Sequence, residues 1–287
     1  MHDVVIVGAG PAGLIAALYA ARSKLDTKII DKMIPGGQML LTESIDNFPG
    51  FPGGIESNAF VQKMQEQIKD LDVEVDNAEL KEIRKESNFV VESTDGQKLE
   101  SKTVILATGA QYKKLGIPGE DRLAAKGVSY CAICDGPLFK NKDVMVIGGG
   151  NAAVEEALTL ARFAKKVILI HRRDQLRAVK ILQDKVLSNK KIEVIWDTVP
   201  IEFTGQQRLE SVKVKNVKSN AESIVEVQGA FVSIGFIPNT NLFKSLVKLD
   251  EGGYIVTDND MATSVEGMFA CGDCRLKSLR QVVTACA

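Results

Sequence analysis

The feature that most constrains this chain is a repeat. "VVIVGAGPAGLIAALYAARSKLDTKIID" (4–31) and "VMVIGGGNAAVEEALTLARFAKKVILIH" (144–171) align at a constant offset of 140 residues, so Gly8 falls on Gly148, Gly10 on Gly150, Gly13 on Ala153 and Arg22 on Arg162. Each copy is a short apolar run, a glycine turn, a small-residue helix and a second β-branched strand, the pattern of a β-α-β nucleotide-binding unit. The first glycine lets the chain turn sharply, the second lets backbone approach a pyrophosphate, and the third position must be small for the helix to pack on its strand. The helix start then presents free N–H groups and partial positive charge to phosphates. One glycine motif alone says little; two, each flanked by strands, predict two dinucleotide sites. The expected contacts are Gly8, Gly10, Pro11, Ala12 and Gly13 in the first copy, and Gly148, Gly150, Asn151, Ala152, Ala153 and Glu156 in the second.

The strand ends separate the two nucleotides. In the first copy the ribose-reading position is Asp31, whose carboxylate can accept from a ribose hydroxyl. Its counterpart is His171, followed by Arg172, Arg173 and Arg177 in "HRRDQLR". A carboxylate would repel a 2′-phosphate, whereas clustered guanidiniums bind one with charge-assisted bonds. The second site is therefore expected to take NADPH and the first an unphosphorylated dinucleotide; the bland alternative makes the arginines a solvated helix start.

The remaining pattern assigns domains. After the first unit, the Gly/Pro-dense 36–54 reads as an ordered loop and 57–71 as an amphipathic helix. Strands at 73–76, 79–85, 88–93 and 98–100 around a "TDGQ" turn suggest a small β-layer. The strand "TVILATGA" (103–110) ends in a small-residue turn, Ala107, Thr108 and Gly109, suited to close approach of a cofactor. The second unit is likewise followed by strands (192–196, 199–204, 209–216, 223–227) and by "GAFVSIGFIPNT" (229–240), with Ile234 and Gly235 at its turn. The expected fold is α/β, two Rossmann-like three-layer domains, the second inserted into the first: 1–114 with 237–287 binding one dinucleotide, and 115–236 binding NADPH and carrying "CAICD". Two chain crossings between domains make a hinge plausible.

At 287 residues the chain is long enough for two such domains. Its net charge of −1 comes from interspersed charges with no basic stripe, so no nucleic-acid partner is expected. Val4 to Ala21 carries no charge, but Gly8, Gly10, Pro11 and Gly13 break it as a membrane helix, and no basic segment precedes it as in a signal peptide. Five cysteines, four in two C-x-x-C pairs, suit a reducing cytoplasm, where such pairs are catalytic or metal-binding.

"GAGPAG", "GGQ", "ATGA", "CAICDG", "GGGNAAVEEA", "HRRDQLRA", "IGFIPNT" and "GMFACGD…RQ" occur in the order found in low-molecular-weight bacterial thioredoxin reductases, and the chain resembles that family over essentially its whole length. The resemblance implies a cytoplasmic homodimer with FAD at the first site and NADPH at the second. It implies a reaction carrying electrons from NADPH through flavin and an active-site disulfide to the disulfide of thioredoxin or a thioredoxin-like protein. By the same resemblance, Gly37, Gln38 and Asn47 lie near the flavin ring, Gly272 and Asp273 bind the ribitol chain, and Arg280 and Gln281 close the flavin site. Cys134 is the sulfur facing the flavin, Cys131 attacks the substrate disulfide, and Asp135 is the acid. The chain departs from the family in "CGDC", where a small residue usually precedes "GD". Family chains also usually run on past "RQVVTA" into a final helix; either this sequence is cut short of it, or the helix is absent, which is expected to weaken FAD binding or dimer contacts.

The chemistry of the first pair stands beside the resemblance. A hydride donor needs a two-electron acceptor, and a flavin can pass electrons on to a disulfide. The thiol presented to a substrate must be a thiolate. Only His2 and His171 exist in the chain, so Asp135 is the nearest candidate to protonate a leaving sulfur; it is otherwise a plain turn residue. With both nicotinamide and C-x-x-C in one domain, the two are expected to reach the flavin by turns through a domain rotation. Rival readings are a structural zinc site built from Cys131, Cys134, Cys271 and Cys274, a second redox pair at Cys271 and Cys274, and a flavoprotein served by ferredoxin or serving a peroxiredoxin-type partner. The long spacing between the pairs weighs against zinc, and the intact NADPH motif against ferredoxin.

Overall fold

The computed structural model describes residues 1–41 and 44–287. β1 (His2–Val7), α1 (Pro11–Arg22) and β2 (Thr27–Asp31) form the first β-α-β unit, with both strands parallel. Alternation along β1 decides the layering. Val4 and Ile6 join Leu14 and Ala17 of α1 in one apolar cluster, while Val5 and Val7 face a second on the other side of the sheet. Each such valine, isoleucine or leucine side chain, fully buried, contributes roughly 1.5–3 kcal/mol.

A short antiparallel pair, β3 (Ser44–Ile45) and β4 (Ile55–Glu56), leads into α2 (Ser57–Lys69). Its buried Phe60, Val61, Met64 and Ile68 recur at helical spacing and pack into the α1 cluster. β5 (Val75–Asn77), β6 (Leu80–Lys85), β7 (Phe89–Ser93) and β8 (Lys98–Leu106) follow. Here the structure departs from the sequence reading in two ways. The segments expected as separate strands at 98–100 and 103–110 are one strand, because Ser101 is buried between exposed Glu100 and Lys102 and keeps the alternation running through a polar stretch. The strands expected as a separate β-layer belong to the main sheet, ordered β5-β2-β1-β8-β7-β6, since β8 pairs antiparallel with β7 through its first half and parallel with β1.

The chain divides into two compact units, Met1–Gln111 with Ile237–Ala287, and Tyr112–Phe236. β9 (Ala110–Tyr112) ends the first segment. The second unit holds β10 (Val128–Ser129), α3 (Ala132–Asp135), β11 (Asp143–Ile147), α4 (Asn151–Leu160), β12 (Lys166–Ile170), α5 (Lys180–Leu187) and β13 (Ile192–Ile195). β14 (Thr198–Thr204), β15 (Ser211–Asn216), β16 (Glu222–Glu226) and β17 (Gly229–Val232) complete it. β10-β17-β11-β12-β13 is an all-parallel sheet. Val144, Val146, Val167 and Leu169 pack on its helical side; Met145, Ile147, Ile168 and Ile170 pack toward Phe203, Val212 and Val214 of the separate antiparallel sheet β14-β15-β16. Three layers result: helices, parallel sheet, antiparallel sheet.

β18 (Phe236–Pro238) pairs with β9, so the two chain crossings form their own two-stranded sheet. β19 (Met268–Ala270) then adds to the second half of β8 in parallel, and α6 (Val282–Cys286) packs with the α1 cluster. The uncharged stretch from Val4 to Ala21 is thus a strand, a turn and part of a helix. Among the described residues no helix is long and apolar enough to cross a membrane.

Candidate active site

In the first unit the glycine turn is fixed from beneath and open above. Gly8 takes φ +109°, and a Cβ there would collide with the carbonyl of Ala107; one at Gly13 would collide with the carbonyl of Gly8. Gly10, by contrast, has φ −71° and nothing within 4 Å of where a Cβ would stand. It opens α1 with Pro11 in the first turn, no side-chain cap and no acid there. That uncapped, empty-faced helix start fits a pyrophosphate. Asp31 ends β2 beside it, one carboxylate oxygen accepting from Ala9 N at 2.7 Å and the other from Met33 N at 2.9 Å.

Gly37 and Gly272 approach this turn, and the other candidate residues bond to one another or to neighbours in the same unit. Gly37 crosses the glycine turn, its Cβ position 3.4 Å from the Cα of Gly10, with Gln38 exposed in the short turn that follows. Ala12 lies against Gly272, which has φ +72° and would meet the Ala12 Cβ at 2.6 Å with any side chain of its own. Thr108 and Asn239 bond reciprocally at 2.8 Å, and Gly109 O accepts from Asn239 N at 3.0 Å. Asn47 donates to Gln281 Oε1 at 3.0 Å, and the Arg280 guanidinium lies 4.2 Å over the ring of Tyr254. Asp273 is ion-paired at 2.7 Å with Lys277, a residue the sequence reading missed.

The second unit repeats the cradle. A Cβ on Gly148 would meet Ser233 O and Ala153 Cβ, whereas Gly150 opens α4 with nothing within 4 Å. Asn151 accepts from Val179 N at 2.9 Å and Arg177 N donates to Gly149 O at 2.7 Å, which lays segment 171–179 along the glycine turn. Arg172, Arg173 and Arg177 are exposed there, as is Ala152. His171 is buried, its ring where a Cβ on Gly149 would have to go. Burial, then Arg177, Arg173 and Arg172, depress its pKa. Ile234 packs with the antiparallel sheet, and Gly235, at φ +107°, accepts from Lys113 N at 2.9 Å.

Cys131 and Cys134 form a disulfide in this unit, with their Cα atoms 5.3 Å apart. The bond spans the start of α3, and Cys134 N donates to Cys131 Sγ at 3.2 Å. Ser129, at the end of β10, organises the turn: its hydroxyl accepts from Cys131 N at 3.1 Å and donates to Asp135 Oδ2 at 2.6 Å. Beneath the turn, the Glu156 carboxyl of α4 lies against Ala132 and Ser233, and burial raises its pKa to about 7. Exposed Ile133 and Leu138 flank the pair.

Two open glycine turns at helix starts and an intramolecular disulfide are thus carried by one chain. The family profile described as pyridine nucleotide-disulphide oxidoreductase matches residues 2–287. The chain belongs to that family. It is 44% identical to a thioredoxin reductase of Listeria innocua over 286 residues, covering 99% of this chain and 89% of the relative. It is 43% identical to a thioredoxin reductase of Bacillus subtilis, covering 99% and 90%. The crystal structure of thioredoxin reductase from Streptococcus pyogenes matches with a TM-score of 0.94 at 45% identity, covering 100% of this chain and 94% of that one.

As a pyridine nucleotide-disulphide oxidoreductase, the protein is an oxidoreductase using flavin and nicotinamide nucleotide. Its other cysteines have a different character. Cys271, Cys274 and Cys286 are free thiols; burial pushes Cys271 up to about 12 and the other two up to about 11. Cys274 is fully buried and donates to Leu106 O and Cys271 O. Thiols held protonated in this way are poor nucleophiles. Among the described residues no group of three or more His, Cys, Asp or Glu is placed to hold a metal ion.

Proposed function

We propose that this oxidoreductase is a thioredoxin reductase, which takes electrons from NADPH through FAD and the Cys131–Cys134 pair to the disulfide of thioredoxin or a similar small protein. The observation that carries the reading is the disulfide itself, formed inside the unit that bears the second glycine cradle. In this reading Gly8, Gly10, Gly13, Asp31 and Asp273 hold FAD, and Gly148, Gly150 and the three arginines hold NADPH. A cytoplasmic homodimer goes with it.

A bound flavin supplies the two-electron link between a nicotinamide hydride and a disulfide. The chain's own residues do the rest. Reduction adds two electrons to the Cys131–Cys134 bond, giving two sulfurs that share the protons taken up. Cys131, as thiolate, attacks one sulfur of the substrate disulfide; a mixed disulfide forms and the other substrate sulfur leaves as thiolate. Asp135, aimed by Ser129, holds the proton that this leaving sulfur needs. Cys134 then attacks Cys131, which releases the second substrate sulfur and restores the original bond.

The test mixes the FAD-loaded protein with NADPH and oxidised thioredoxin and counts thiols. Two thioredoxin thiols per NADPH consumed, lost in both C131S and C134S, support the reading. NADPH oxidation with no thiols formed overturns it.

A further inference from the structure

Lys277 is held by its surroundings as few surface lysines are. Its side chain is 11% exposed, and its ammonium lies 2.7 Å from Asp273 Oδ1 and 3.1 Å from the carbonyl of Thr284, with the Thr284 hydroxyl at 3.4 Å. Thr284 Oγ1 in turn accepts from Gln281 N at 3.2 Å, inside a capping box that starts α6. Gln281 Oε1 accepts from Asn47 at 3.0 Å. One polar chain therefore runs Asp273–Lys277–Thr284–Gln281–Asn47, wholly within the unit formed by 1–111 and 237–287.

Three of those five residues are ones the flavin reading assigns to its site; Lys277 and Thr284 join them. We infer that Lys277 is a positioning residue for FAD: it orients Asp273 toward the ligand and ties α6 to the Gly272–Asp273 turn. The inference rests on the flavin reading proposed above. The physical ground is the ion pair. A nearly buried ammonium needs a counter-charge and acceptors for its N–H groups, and here both are supplied. With Oδ1 paired to Lys277, the second carboxylate oxygen of Asp273 is, on this inference, left to accept from a ligand hydroxyl. Gly272, in its left-handed conformation against Ala12, keeps that turn beside the α1 cradle.

The experiment measures FAD affinity of the full-length apoprotein by flavin fluorescence, together with the melting temperature of each apo form. Wild type, Lys277→Met, Lys277→Arg, Asp273→Asn and the Asp273→Asn/Lys277→Met double variant are compared. Loss of a charge-assisted contact predicts about 10- to 100-fold weaker FAD binding in K277M, with part of the loss recovered in K277R. Because Lys277 acts through Asp273, the double variant should bind no more weakly than D273N alone. Wild-type affinity in K277M, or strictly additive losses in the double variant, would overturn the positioning role. Should K277M not fold, Lys277→Gln against wild type carries the same comparison: undiminished affinity overturns the inference and a loss supports it. No FAD uptake by wild type would instead overturn the flavin reading beneath it.

Discussion

The Ser129 hydroxyl donates to Asp135 Oδ2 at 2.6 Å, and Ser129 Oγ itself accepts from the N–H of Cys131 at 3.1 Å. One small side chain thus fixes both the proposed acid and the entry to the redox turn. Asp135→Asn removes the acid and should slow transfer from the reduced protein to oxidised thioredoxin by about 10²-fold or more. Ser129→Ala leaves the carboxyl but loosens its aim, with a loss nearer tenfold, the worth of one hydrogen bond to a charged group. Stopped-flow reoxidation of the reduced protein reads both rates. Equal rates in D135N and wild type would remove Asp135 from the chemistry.

Gly10 and Gly150 separate folding from binding. Both have negative φ and open space where a Cβ would stand, so alanine is compatible with the fold and should stabilise it by about 0.4–1 kcal/mol through the unfolded chain. The same methyl stands where a pyrophosphate must approach. Calorimetry should therefore show unchanged or higher melting temperatures, while titration shows FAD affinity reduced in G10A and nicotinamide nucleotide affinity reduced in G150A, each by at least about tenfold. Gly8→Ala should behave oppositely and destabilise the apoprotein, since it adds a clash with Ala107 at φ +109°.

Arg172, Arg173 and Arg177 lie exposed along the second glycine turn. Replacing Arg172 and Arg173 by Ala should raise KM for NADPH by about 10- to 100-fold per lost charge-assisted contact and leave KM for NADH little changed. An equal loss for both nucleotides would show that these side chains do not read the 2′-phosphate.

Glu156 gives stability a pH dependence of known sign. Its folded pKa is about 7, against an ordinary value of 4.5, because the carboxyl is buried. Between those values the folded chain keeps a proton that the unfolded chain has lost. Its contribution is whole below the unfolded pKa and is lost as pH rises toward about 7, then levels off. Denaturant unfolding at about pH 5 and about pH 8 should show wild type losing up to about 3 kcal/mol more than Glu156→Gln across that interval. Parallel profiles for the two would contradict the assignment.

Much of this was legible because it is local. The 140-residue offset located both cradles, since a glycine turn between strand and helix is written in consecutive residues. Burial on both faces of β1 follows from its unbroken apolar run. What escaped were relationships set by the tertiary fold. Nothing in "KGVSYCAICD" marks Ser129 as the partner of Asp135, because serine two residues before a cysteine is an ordinary strand end. Lys277 looked like any surface lysine until α6 brought Thr284 against it. The merging of β6 and β7 into the main sheet was hidden by the polar "ESKT" inside β8, where pairing on both sides outweighs weak strand propensity.

The central claim is that the Cys131–Cys134 disulfide exchanges electrons with a flavin bound by the same chain. An anaerobic NADPH titration of the FAD-loaded protein, followed by flavin absorbance, tests it most directly. The account predicts uptake of about four electrons per flavin, two for the flavin and two for one disulfide, falling to about two in C134S. Uptake of only about two electrons in the wild type would mean that the disulfide stands outside the electron path, and would contradict the account.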